Sequence, residues 1–140
     1  TLFRSFRNNN MKVKNIIFSL ITFAILSSCI KRPLDEDNLL ITTQTSCYIG
    51  NFFLYGSDHI DCLVPSRTVI DTINLTVNAV AKFGTNLKYV KPATSLSIDS
   101  KITPAMGQWV DFTLPRKYTV ISGNRKIQKE YTITVKVEGQ

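Results

Sequence analysis

The chain holds one histidine, three cysteines and one tryptophan, and their spacing limits the chemistry open to it. His59 sits in Asp58-His59-Ile60-Asp61. Catalysis there would need a nucleophile or a second ligand at a defined spacing, and neither is visible, so the tetrapeptide reads as a turn. No glycine-rich phosphate loop, Ser-His-Asp order or paired-carboxylate motif stands out. No catalytic residue and no metal ligand is therefore assigned, and the chain reads as non-enzymatic. Trp109 and Asp111 open a different possibility. If Val110 and Phe112 face a core, the two-residue alternation of a strand turns Trp109 and Asp111 outward together. An outward indole beside a carboxylate can grip a sugar ring by its apolar face and its hydroxyls. The commoner use of such a ring is packing against a loop or a neighbouring domain.

Cys29 is the cysteine placed for covalent chemistry. Met11-Lys12-Val13-Lys14 is a basic head, Asn15–Leu26 an apolar block, and Ser27-Ser28 a small-residue exit. That is the layout of a secretory signal, expected as a cleavable signal-peptide helix within residues 11–28. Leu26-Ser27-Ser28-Cys29 looks like a bacterial lipobox, in which the thiol takes a diacylglycerol, the chain is cut before the cysteine, and the new amino terminus is acylated. On that reading the mature chain starts at Cys29 on a membrane surface, and no cofactor is expected beyond the diacylglycerol and N-acyl lipid. The apolar block falls short of the roughly 20 residues that a spanning helix needs. Residues 1–10, opening Thr1-Leu2-Phe3-Arg4-Ser5, look like a translated sequencing adapter and read as a non-native extension.

The signal also explains the charge. The chain carries 17 basic and 10 acidic residues, a formal +7. Arg4, Arg7, Lys12 and Lys14 precede Cys29 and every acidic residue follows it, so the mature part is 13 minus 10, or +3. That is an ordinary solvated surface without a phosphate-tracking stripe, and no nucleic-acid partner is expected.

An exported chain would meet an oxidising compartment, which permits a Cys47–Cys62 disulfide closing a loop of about 15 residues, worth ~3 kcal/mol. Register opposes it. If Gly56-Ser57 turns a hairpin, Cys62 lies opposite Asn51, about four residues along the strand from Cys47, too far to bridge. Hairpin and disulfide exclude each other, with buried free thiols as the alternative.

The elements that hold these residues are strands. Residues 29–46 are polar and without period and read as a tether. Asp35-Glu36-Asp37 within it is either an export address of the kind found behind lipidated cysteines or a solubilising linker. From Cys47 the pattern is β. Cys47–Tyr55 is aromatic-rich and ends at the turn Gly56-Ser57-Asp58, and Ile60–Val64 is the next apolar run. Over Val69–Val77, Ile73, Leu75 and Val77 alternate with Thr72, Asn74 and Thr76. Leu96-Ser97-Ile98 alternates again. Tyr118–Ser122, the turn Gly123-Asn124 and Ile127–Val137 form a hairpin whose second arm keeps period two throughout. Short strands at intervals of about ten residues, with no amphipathic helix after Leu26, predict an all-β sandwich over residues 47–140. Its inner faces would come from Ile73, Leu75, Val77, Leu96, Ile98, Phe112, Tyr118, Val120, Tyr131, Ile133 and Val135.

Ile102-Thr103-Pro104-Ala105-Met106-Gly107, Asp111-Phe112-Thr113, Tyr118-Thr119-Val120, Ser122-Gly123-Asn124 and Tyr131–Val135 fall in an order and spacing that carry a resemblance. Together with Ile70-Asp71, Ile73–Val77 and Leu87 before Pro92, they resemble the immunoglobulin-like amino-terminal domain of Bacteroidetes surface lipoproteins. That group includes lipoproteins of unknown function and others assigned to carbohydrate metabolism. The resemblance covers roughly residues 47–137 and implies an immunoglobulin-like β-sandwich on a surface-facing outer-membrane lipoprotein, with the membrane as partner through the lipid anchor and a glycan or another surface protein as the further partner expected. Asp71-Thr72-Ile73 also looks like the short site at which such envelope proteins receive O-linked glycans, against Thr72 as a plain strand residue.

Three functions are open at this point. The first is a lipid-anchored spacer or accessory module in glycan binding or adhesion. The second is the amino-terminal anchoring domain of a longer carbohydrate-active or carbohydrate-binding lipoprotein. The third is a fimbrial or assembly subunit that exchanges strands, which an exposed terminal edge would favour.

Overall fold

The described part of the chain, residues 32–139 of a computed structural model, holds seven strands. The strands are β1 (Ile49–Tyr55), β2 (Val69–Asp71), β3 (Thr76–Ala81), β4 (Lys91–Leu96), β5 (Lys101–Thr103), β6 (Arg116–Ile121) and β7 (Gln128–Val137). They form a five-stranded sheet in the order β2-β3-β7-β6-β5 and a two-stranded sheet of β1 and β4. Among the described residues no helix is long and apolar enough to cross a membrane. The signal-peptide helix expected over 11–28, the extension over 1–10 and the lipidation position Cys29 lie outside the described residues.

Period two in the last arm decides the larger sheet. Tyr131, Ile133, Val135 and Val137 are buried on one face of β7. β7 is central, pairing antiparallel with β6 (Tyr118 opposite Tyr131) and parallel with β3 (Val77 beside Ile133). The smaller sheet closes the sandwich. Ile49, Phe52 and Leu54 of β1 are buried, joining the core formed by Val77, Ala79, Tyr118, Val120, Tyr131 and Ile133. Burying a large aliphatic or aromatic side chain is worth about 1.5–3 kcal/mol, so this interior is the main source of stability. Residues 61–64 stitch the sheets together. Cys62 N donates to Leu54 O of β1 at 2.8 Å, and two residues later Val64 N donates to Val80 O of β3 at 2.8 Å.

Two residues expected on the inner face are instead outside. Ile73 is 90% exposed and Ile98 70% exposed. The alternation over 69–77 is interrupted, because Thr72–Leu75 is the loop of a β2–β3 hairpin that pairs Asp71 with Thr76. Asp71 builds that loop. Its Oδ1 accepts from the amides of Ile73 (2.9 Å) and Asn74 (2.8 Å), and Asn74 Nδ2 donates to its other oxygen. An aspartate that satisfies amides two and three residues on makes a turn whatever the apolar pattern says. Ile98 falls likewise in the turn after β4, where Ser100 N donates to Ser97 O.

The stretch expected as a tether is structured from Pro33. Ile41 N donates to Pro33 O and Asp35 N to Leu39 O, folding the segment back on itself. It then lies on the β6–β7 turn, with Thr42 N on Gly123 O and Asn124 N on Gln44 O. Asp35 locks it there. Its carboxylate meets Arg125 Nε at 2.8 Å and Lys101 Nζ at 2.9 Å, and Lys101 also pairs with Asp37. Two of the three residues read as an address or a linker are thus ion-paired to the sandwich. Gly123 permits the approach. A Cβ there would stand 2.5 Å from Thr42 Oγ1 and 2.9 Å from Gln44 Cβ and Asp99 Cβ.

Candidate functional site

Trp109 lies beside one end of the small sheet. Val90 and Val110 exchange backbone hydrogen bonds at 3.1 and 2.8 Å, and Val90 is fully buried. Residues on either side of such a pair point to the opposite face. That turns Tyr89, Lys91, Trp109 and Asp111 outward, as the alternation before Phe112 predicts. In this register Trp109 stands across from Lys91 and diagonal to Tyr89, and diagonal partners are within reach of large side chains. The Tyr89 and Trp109 rings stack at 4.5 Å between centroids and 7° between planes. His59, from the turn after β1, meets Trp109 edge-on at 5.4 Å, and Lys91 Nζ lies 6.0 Å from the indole centroid.

The packing use of Trp109 is therefore the one the structure displays: a ring enclosed by side chains from the 89–91 segment and the 56–59 turn. Asp111 does not join it in one site. Asp111 Oδ1 accepts from Thr113 N (2.8 Å) and Thr113 Oγ1 (2.6 Å), and those bonds hold its carboxyl below the usual range. It borders a separate depression toward Leu114 and Lys117.

An open cleft of about 410 Å³ lies against the stack, between the turn after β1 and the loop joining β3 to β4. Of the three rings only Tyr89 lines it. The cleft walls are built by local hydrogen bonds. Gly56 N donates to Ile60 O, His59 N to Gly56 O and Ile60 N to Asp58 Oδ1, closing a tight turn with His59 at φ 61°. Opposite, Thr85 Oγ1 donates to Lys82 O at 2.7 Å and Lys88 N to Asn86 Oδ1 at 3.1 Å. Lys82 Nζ reaches across to Asp61 O at 2.9 Å and ties the two walls together.

Both described cysteines are free. Cys47 is buried and its thiol donates to Val120 O at 3.2 Å, while the Cys62 thiol donates to Leu54 O at 3.1 Å. Burial raises both thiols above their ordinary value. The turn takes five residues, 56–60, where two were expected, so Tyr55 pairs with Asp61 and Cys62 lies beside Leu54 rather than opposite Asn51. Seven residues of extended chain, ~23 Å at the usual rise, separate that point from Cys47. Thr72 is exposed in the β2–β3 loop, a turn residue rather than a strand residue. Among the described residues no three histidine, cysteine or carboxylate side chains converge as a metal site.

Tyr89 and the cleft were not legible as a site. Leu87–Lys91 reads as a short connection, and the one signal available was the pairing of Val90 with Val110, which no local pattern announces.

The model of the family described as SGBP, N-terminal, matches residues 61–135, more than half of the chain. The chain belongs to this family. Membership agrees with the resemblance to amino-terminal domains of Bacteroidetes surface proteins and makes the chain a module associated with surface glycan binding. No curated protein matches. Among solved structures, a Bacteroides fragilis protein named as an inferred secreted protein is 16% identical with a TM-score of 0.54, the match covering 66% of this chain and 95% of that one. That likeness concerns the fold. A Bacteroides thetaiotaomicron protein named as an inferred glycoside hydrolase is 25% identical with a TM-score of 0.45, covering 66% of this chain and 24% of that one. A DUF4623 family protein of Bacteroides eggerthii is 14% identical with a TM-score of 0.49, covering 65% and 21%. The chain thus spans under a quarter of the length of those two proteins.

Proposed function

We propose that the chain is a non-enzymatic, lipid-anchored spacer or accessory module of a surface glycan-binding or adhesion system, held at the outer membrane through Cys29 and facing the cell exterior. The observation that carries the reading is where the chain enters and leaves the sandwich. Residues 42–44 dock on the turn that precedes β7. At the other end of that strand, Glu138 N bonds Ala81 O and Gly139 lies by Phe83. The two points are separated by the ten residues of β7, about 33 Å of extended chain. A module built this way sets apart whatever lies at its two ends, which suits a spacer. The acyl chains on Cys29 would supply the anchor, since two or more lipid chains hold a protein stably where one holds it marginally.

A second reading shares the same module. The family's description as an N-terminal region favours an anchoring domain of a longer carbohydrate-active or carbohydrate-binding protein. The strand-exchange reading needs an exposed terminal edge: β7 offers none, lying between β3 and β6, whereas β1 has β4 as its one strand partner in the smaller sheet.

Metabolic labelling with palmitate tests the anchor. The native chain should incorporate label and fractionate with the outer membrane, and Cys29→Ala should lose both. Equal labelling of the two would overturn the proposal.

A further inference from the structure

The geometry points to a binding site for a neutral saccharide in the cleft beside Tyr89, with that ring as its stacking wall. The inference rests on the glycan-associated reading above and adds to it a site and a ligand class. Sugar rings bind where a fixed apolar face stands beside in-plane hydrogen-bonding groups. Tyr89 is 50% exposed, lines the cleft and is backed by Trp109 at 4.5 Å. Trp109 is braced in turn by His59 and Lys91. A wall held from behind loses little freedom when a ligand lands on it, which is where much of the cost of binding otherwise lies.

The polar groups are placed to complete the site. Asp58 uses Oδ1 for the Ile60 amide, and Asp61 uses Oδ1 for the amides of Leu63 and Leu54. The Oδ2 atoms of both have no hydrogen bond among the described residues and can accept from hydroxyls. Asn86 accepts through Oδ1 and keeps its amide N–H groups as donors. Two carboxylates face one ammonium, Lys82, already engaged on Asp61 O. That balance repels uronates and sialic acids and selects an uncharged ring. Phe83, 83% exposed on the same cleft, adds a second apolar surface. The volume of 410 Å³ falls within the ~300–1,000 Å³ typical of small-molecule sites. The depression beside Asp111 has no aromatic wall, and its carboxylate is already bonded to Thr113.

The test is nitrogen-15 NMR of the full chain in a sugar-free detergent, titrated with cellotetraose, xylotetraose and maltotetraose, and with tetragalacturonate as the anionic comparison. At least one neutral oligosaccharide should shift amides within 56–62 and 82–89 saturably, and tetragalacturonate should not. Tyr89→Phe should keep the affinity, while Tyr89→Ala should weaken it by about tenfold or more, a change of ~1.4 kcal/mol. Should Tyr89→Ala fail to fold, Phe83→Ala at its exposed position should weaken binding in the same direction. No saturable shift with any neutral tetramer, shifts confined to another surface, or affinity unchanged in a folded Tyr89→Ala chain would each overturn the site. Such a failure leaves the anchored-spacer proposal standing, since that one falls only with the palmitate experiment.

Discussion

The indole of Trp109 and the ring of Tyr89 meet because Val90 and Val110 bond to each other twenty residues apart. Local alternation was enough to turn Trp109 and Asp111 outward, and that part was legible in the sequence. Which residue stands diagonal to Trp109 depends on register between distant segments, and no period in either segment carries it. The same gap explains the cysteines. The sequence fixes that Cys47 and Cys62 lie fifteen positions apart, whereas their separation in space depends on how soon the chain turns after Tyr55. Each thiol instead donates to a nearby carbonyl and is disfavoured as thiolate by burial. Thiolate is the reactive form. Intact mass measured without reductant should therefore report two free thiols, and alkylation at neutral pH should label the partly exposed Cys62 before the buried Cys47. A mass lower by two hydrogens, or rapid labelling of Cys47 in the folded state, would contradict this.

Among the elements, β7 was the most readable, because ten residues of strict alternation leave one arrangement that buries Tyr131, Ile133 and Val135. The β2–β3 hairpin was the least, since Asp71 imposes a loop on a run whose apolar spacing continues through it. The segment from Pro33 to Ser46 shows a third case: it has no period because its structure comes from the element it docks on. Gly123 is the contact that makes docking possible. Gly123→Ala should cost about 1–3 kcal/mol by overpacking, measured by urea unfolding, with faster hydrogen exchange at Thr42 and Asn124. An unchanged stability would mean the segment does not rest on this turn. The ion cluster sets a pH dependence as well. The hydrogen bond from Lys101, with those from Leu39, Arg125 and Asp37, holds the Asp35 carboxyl well below the usual carboxylate range. A group depressed in the folded state stabilises fully above its unfolded pKa, about 3.9 for aspartate, and that contribution falls as pH drops below it. Exchange at the Leu39 amide, which donates to Asp35 Oδ1 at 2.8 Å, should thus be flat from neutrality to about pH 4 after correction for intrinsic rates, and accelerate below. Asp35→Asn should abolish the break.

For the molecule as a whole, the central position of β7 has a mechanical consequence. A load drawn between residue 33 and residue 139 runs along the axis of β7, because the chain is fastened near Gly123 at one end of that strand and leaves beyond Val137 at the other. β7 cannot slide without breaking its ladders to β3 and β6 together. The bonds are then sheared in parallel rather than peeled one at a time, the geometry in which a sheet resists force best. Asp35 with Arg125 and Lys101 forms the clasp through which tension enters. Under such a load the chain would yield first at this clasp, releasing residues 33–46 before the sandwich itself gives way.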